Sequence, residues 1–246
     1  MPVLTPTQWL FAALAALSIG LAKAGFGGVG MLAVLLMTQV LPARESTGAI
    51  LPMLIMADIF AVYAYRQHAD GRLVLKLLPP AILGVVCGWL LMPQISPEGF
   101  GKVIGWLTLA LVGLVIVQKM TPLVKVATDH PGIAWPFGWL AGVTTMLANA
   151  AGPVMAIYLL ARRLPKMEFV GTTAWFFFAV NLIKVPFSAA LGLINPSSLV
   201  LNLCLLPVIV VGLITGRWLL GKTRQAVFEW LMVIFSTIGA LRLIAG

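Results

Sequence analysis

The chain alternates long apolar runs with short polar or charged breaks. Runs at about 7–22, 26–41, 46–65, 73–92, 101–118, 134–148, 153–164, 167–191, 198–220 and 226–245 are bounded by charge, Pro or Gly. Each predicts a helix, and those of roughly twenty residues suffice to cross a hydrocarbon core about 30 Å thick. Four runs, 7–22, 26–41, 134–148 and 153–164, are shorter and form two adjacent pairs. A small-residue polar break divides each pair: Ala22-Lys23-Ala24-Gly25-Phe26-Gly27-Gly28-Val29-Gly30 and Leu147-Ala148-Asn149-Ala150-Ala151-Gly152-Pro153. The uncharged stretch from Pro131 to Ala161 would be about 46 Å long as one straight helix. It must bend, and Gly152-Pro153 is where it can.

The punctuation repeats. At an offset of 123 residues, Leu41-Pro42 falls on Leu164-Pro165, Gly48 on Gly171 and Asp58 on Asn181. After a five-residue gap, an offset of 128 carries Pro79 onto Pro207, Gly84 onto Gly212, Gly88 onto Gly216 and Phe100 onto Phe228. Gly and Pro impose backbone geometry, so their steady spacing signals a duplication where matched leucines would not. The expected division is an N-terminal repeat at 1–120, a connecting loop at 121–132 and a C-terminal repeat at 133–246. Each half holds five segments if its short pair crosses the membrane, or three if the pair re-enters. Both counts are odd, so the halves are expected to be inverted relative to each other, an arrangement typical of transporters. The expected fold is an all-α polytopic membrane protein of two inverted repeats, each a broken helix pair followed by three spanning helices.

Composition agrees. Of 246 residues, 61% are hydrophobic and 9% charged, against about a quarter charged in soluble domains. This argues against a soluble enzyme, a nucleic-acid partner and a disordered chain. Sixteen Lys and Arg against seven Asp and Glu give a net charge of +9, but most of the charges fall on or beside short connectors and read as topology determinants. Arg66, Arg72, Lys76, Lys119, Lys125, Arg162, Arg163, Lys166, Arg217, Lys222 and Arg224 fall to one side, and only Arg44, Lys102 and Arg242 to the other. The positive-inside rule makes the rich side cytoplasmic and puts both termini outside. Met1–Ser18 lacks a basic leader, so the first run is expected to remain as structure. Trp9, Trp89, Trp106, Trp135, Trp139, Trp218 and Trp230 suit an interfacial belt.

Candidate chemistry gathers at the breaks. A helix starting inside the bilayer presents unpaired N–H groups and about half a positive charge. Two such starts converging from inverted halves would bind an anion; close packing through small residues is the competing reading. Gly27, Gly28, Ala150, Ala151 and Gly152 would let backbone approach the ligand, and Lys23 and Asn149 would add side-chain donors. Lys23 tops a loop if its pair crosses, and sits near the midplane if the pair re-enters. Asp58 and its counterpart Asn181 lie about a dozen residues into spanning helices. Asp58 is the candidate proton carrier, with an ion pair to Lys23 or Lys184 as the alternative. Lys184 follows Asn181 on the same helix face and either serves the site or snorkels. Thr172 and Thr173 offer hydroxyls, with intrahelical bonding as the competing use.

The remaining features point elsewhere. Gly84-x-x-x-Gly88 and Gly212-x-x-x-Gly216 are packing motifs. Cys87 and Cys204 read as buried small hydrophobes without disulfide or metal-ligand spacing, and His68-Ala69-Asp70 as a solvated loop. No metal, cofactor or acid/base pair is expected, and no HExxH, GxSxG or Walker loop occurs, so an enzyme is disfavoured.

The run Lys23-Ala24-Gly25-Phe26-Gly27-Gly28-Val29-Gly30 resembles the Gly-rich motif of the sulfite exporter TauE/SafE family. Thr145-Met146-Leu147-Ala148-Asn149-Ala150-Ala151-Gly152-Pro153-Val154-Met155 resembles its companion motif, and Phe169-Val170-Gly171-Thr172-Thr173-Ala174-Trp175-Phe176-Phe177-Phe178 also looks like that family. Val29 stands where many members continue the glycine run. The resemblance implies a transporter of sulfite or sulfonates, often outward, in the bacterial inner membrane. The expected partners are a small anion and membrane lipid, with a homodimer compatible. An anion channel and a membrane scaffold without a small-molecule substrate are the rival classes.

Overall fold

A computed structural model describes residues 4–26, 29–41, 43–94, 131–194 and 196–245, with isolated positions between 96 and 116. Most of the expected run at 101–118 and most of the 121–132 connector fall outside the described residues. So do Gly27 and Gly28.

The described residues form helices and no strand. In hydrocarbon no water satisfies backbone polar groups, so apolar segments close their own hydrogen bonds as helix. The helices are α1 (Pro6–Lys23), α2 (Gly30–Met37), α3 (Ala43–Tyr65), α4 (Gly71–Leu91), α5 (Ala134–Ala148), α6 (Ala151–Ala161), α7 (Lys166–Ala190), α8 (Pro196–Lys222) and α9 (Gln225–Ala245). The apolar runs therefore mark the helices to within a few residues, except that α2 is shorter than its run. Four described helices, α3, α4, α7 and α8, contain stretches long and apolar enough to cross a membrane. With its large outward-facing apolar side chains, among them Leu10, Phe60, Leu75, Leu203 and Ile214, the molecule is membrane-embedded.

Local chemistry sets several boundaries. Thr5 caps α1 through a reciprocal pair with Gln8, satisfying two N–H groups that a helix start leaves open. Asp70 caps α4 by accepting from Leu73 N at 3.1 Å. α5 stops where Asn149 adopts a left-handed conformation, φ 52° and ψ 30°, a role Asn fills more readily than most residues. Between α1 and α2, Gly25 has φ +129°, which a side chain would strain.

α1 folds back on α2 and α5 on α6. α2 has 8 residues and α6 has 11, so they rise only about 12 and 16 Å, well short of a bilayer core. The most extensive interfaces pair α4 with α5 and α1 with α8. Both depend on glycine. A Cβ on Gly20 would lie 2.8 Å from Gly212 Cα on α8, and one on Gly142 would lie 2.9 Å from Gly84 Cα on α4. The two GxxxG motifs thus serve backbone-to-backbone packing.

Contacts also sort the connectors. Lys166 donates from Nζ to Leu220 O (2.9 Å) and Thr223 O (2.6 Å) at the end of α8. Asp70 N donates to Thr172 Oγ1 at 3.0 Å, and Gly171 abuts His68 and Ala69. The α3–α4 connector, the start of α7 and the end of α8 therefore share one end of the molecule, and Arg66, Arg72, Arg162, Arg163, Lys166, Lys222 and Arg224 gather there. At the opposite end Gly48, near the start of α3, packs on Leu193 between α7 and α8.

Two expectations need correction. Trp89 is half-buried with its ring 5.6 Å from Phe187, an internal packing residue on the inner face of α4 rather than part of an exposed belt. Cys204 is exposed and Cys87 intermediate, both as free thiols, so Cys204 faces outward on α8 instead of filling the core.

Candidate functional site

The two breaks meet. Gly30, the first residue of α2, and Gly152, the second of α6, both line one cavity of about 60 Å³, together with Lys23, Gly25, Thr145, Asn149, Thr173, Phe177 and Asn181. That is room for a few water molecules. Helix starts from both halves of the chain thus border the same space, each carrying partial positive charge.

Lys23 ends α1 and pairs across the core with Asp58 on α3, Nζ to Oδ1 at 2.6 Å. Asn181 on α7 donates from Nδ2 to Asp58 Oδ2 at 2.7 Å. Asp58 is completely buried, while the Lys23 side chain is 10% exposed. The Lys23 ammonium also stands 4.6 Å from the centre of the Phe177 ring, an attractive placement for a desolvated cation. Lys23 therefore has a counter-ion, and Asp58 is engaged by two donors.

Lys184 is arranged differently. It is 1% exposed, so it does not snorkel. Its Nζ donates to Thr145 Oγ1 at 3.1 Å and to Asn149 Oδ1 at 2.5 Å. Both acceptors are neutral, and no carboxylate among the described residues lies within ion-pair distance of it. Asn149 in turn donates from Nδ2 to Thr47 O at 2.9 Å, tying the second break to the start of α3. The left-handed turn at Asn149 aims its amide sideways, so one residue ends α5, braces α3 and receives Lys184.

With Lys23, Lys184 and Asp58 all ionised, the cluster would carry a net single positive charge. An isolated charge in a membrane interior is costly unless paired. Such a site is chemically suited to accept an anion.

The other expected residues divide. Thr173 lines the cavity, but its hydroxyl donates to Phe169 O and Val170 O, both at 2.9 Å. Thr172 lies away from the cavity, with its hydroxyl accepting from Asp70 N at the connector end. Ala150 and Ala151 are buried and outside the lining. Sequence reasoning did not single out Thr145 or Phe177. The signal for Thr145 was its spacing, one helical turn before Asn149 on the same face; for Phe177, an aromatic in an apolar helix, there was none.

Among curated proteins and among solved structures, none matches the chain significantly. The sequence profile of the sulfite exporter TauE/SafE family matches residues 12–243, nearly the whole chain and both breaks. The protein, built of apolar helices around a buried cationic cavity, belongs to the sulfite exporter TauE/SafE family of membrane transporters.

Proposed function

We propose that the protein is a secondary transporter that moves a small sulfur-containing oxyanion, sulfite or an organosulfonate, outward across the bacterial inner membrane. The observation that carries this reading is Lys184, buried directly behind the cavity wall, donating to Thr145 and Asn149, which line the cavity, and without a carboxylate partner among the described residues. An oxyanion there would accept from Asn149 and from N–H groups at the starts of α2 and α6, with the Lys184 ammonium directly behind them. Asp58 is the group that would carry a coupled proton, since protonating it would release Lys23.

Alternating access by inverted repeats fits the pairings. Asp58 and Asn181, 123 residues apart, hydrogen-bond to each other, as equivalent positions do beside a two-fold axis. α1 packs on α8 as α5 packs on α4, with each broken pair gripping a helix of the other half. The boundary between repeats would fall within 121–132, and the short α2 and α6 favour re-entrant pairs. In this topology the Arg- and Lys-rich end is cytoplasmic and both termini are periplasmic.

The test is flux in proteoliposomes. Saturable sulfite or sulfonate movement, lost in Lys184→Met, supports the reading. No flux above empty vesicles for any sulfur oxyanion, with folded protein, refutes it. Flux that never saturates would favour a channel instead.

A further inference from the structure

The buried charges do not share one role. Lys23 and Asp58 are closed on each other at 2.6 Å. The carboxylate is further held by Asn181 at 2.7 Å, and the ammonium rests against Phe177. That pair contributes no net charge to the cavity. Lys184, when protonated, adds one from directly behind the wall, through Thr145 and Asn149, which line the cavity and carry no charge. The helix starts add partial charges only.

We infer that the site is selective for anions of a single negative charge, and that Asp58 sets this selectivity by neutralising Lys23. This deepens the anion reading above and rests on it. In a poorly solvated site any residual net charge is unfavourable, whichever its sign. A monoanion in the cavity brings the cluster to neutrality and keeps the Lys184 ammonium charged. A dianion leaves an excess negative charge that only a further proton or a freed Lys23 could offset. The ligand class is therefore the sulfonate R–SO₃⁻ or hydrogensulfite, with divalent sulfate disfavoured on charge although its tetrahedral shape is similar. Asp58 is a specificity-determining residue that acts through Lys23, without contact to the anion.

The experiment is calorimetric titration of the purified full chain with methanesulfonate and with sulfate at one ionic strength. Both probes keep their charge across the working pH range. Wild type should bind methanesulfonate at least tenfold more tightly than sulfate. Asp58→Asn raises the cluster to two positive charges and should move that ratio at least tenfold toward sulfate. Lys23→Met combined with Asp58→Asn returns the cluster to one charge and should restore the wild-type preference. This rescue separates charge from mere damage. Lys184→Met should weaken both anions at least tenfold. Sulfate binding as tightly as methanesulfonate to wild type, or an unchanged ratio in folded Asp58→Asn, overturns the charge rule while leaving an anion site in place. Should Asp58→Asn not fold, the wild-type ratio decides alone. Failure of wild type to bind either probe defeats the anion reading itself, and this inference with it.

Discussion

Asn149 does three jobs that substitution can separate. It adopts φ 52°, donates to Thr47 O at 2.9 Å and accepts from Lys184 Nζ at 2.5 Å. Asn149→Gly keeps the left-handed backbone but removes both hydrogen bonds. The bond to a charged group is worth about 1.5–3 kcal/mol and the neutral one about 0.5–1.5 kcal/mol, so the expected loss is roughly 2–4 kcal/mol. Asn149→Ala removes the same bonds and forces a Cβ into the left-handed region, adding about 1–2 kcal/mol. Ala should therefore be worse than Gly, the reverse of the usual order within a helix. The assay is reversible unfolding in mixed micelles, with denaturing detergent as the titrant and helicity as the signal. If Asn149→Ala matches or exceeds Asn149→Gly in stability, the turn geometry is not what this residue supplies. If both lie within about 0.5 kcal/mol of wild type, a range typical of surface substitutions, the bracing role collapses.

Three further outcomes follow from the packing and the ion pair. Asp58→Ala leaves Lys23 buried without its counter-ion and should cost about 3–5 kcal/mol; Lys23→Met with Asp58→Asn should recover much of this in the same unfolding assay, and strict additivity would show that the two residues are not coupled. Gly84→Val sets a side chain against the Trp139 carbonyl on α5 and should abolish monodisperse protein, whereas Gly71→Ala, with nothing within 4 Å, should elute as wild type; similar elution of the two would argue against the glycine contact. Lys166→Met removes donors to Leu220 O and Thr223 O, so hydrogen exchange should accelerate across the last turn of α8 and not in α3. Uniform acceleration would instead indicate global destabilisation.

Much of this protein is legible in its pattern. Apolar run lengths locate the helices because a backbone in hydrocarbon must satisfy itself internally, and α5 spans the same 134–148 that the hydropathy marks. The motif glycines reveal close approach because a Cβ there would strike a neighbouring backbone, as at Gly84 and Gly212. The breaks at Lys23 and Asn149 stand out since nothing else places a polar group between such short runs. The interfacial reading of Trp89 and the buried one of Cys204 misled, because facing direction depends on which neighbour covers a helix, and composition does not record that.

Partnership was the part that only tertiary structure decided. Sequence alone places Asp58, Asn181 and Lys184 within apolar runs and Lys23 in the break between two short ones. It left open which lysine would meet the one carboxylate. Asp58 and Lys23 are 35 residues apart in the chain, and they meet because α1 and α3 pack together. Lys184, one turn beyond Asn181, is turned instead toward Thr145 and Asn149. Period and propensity are local quantities, whereas a buried charge is stabilised by whatever the folded chain brings within a few ångströms of it.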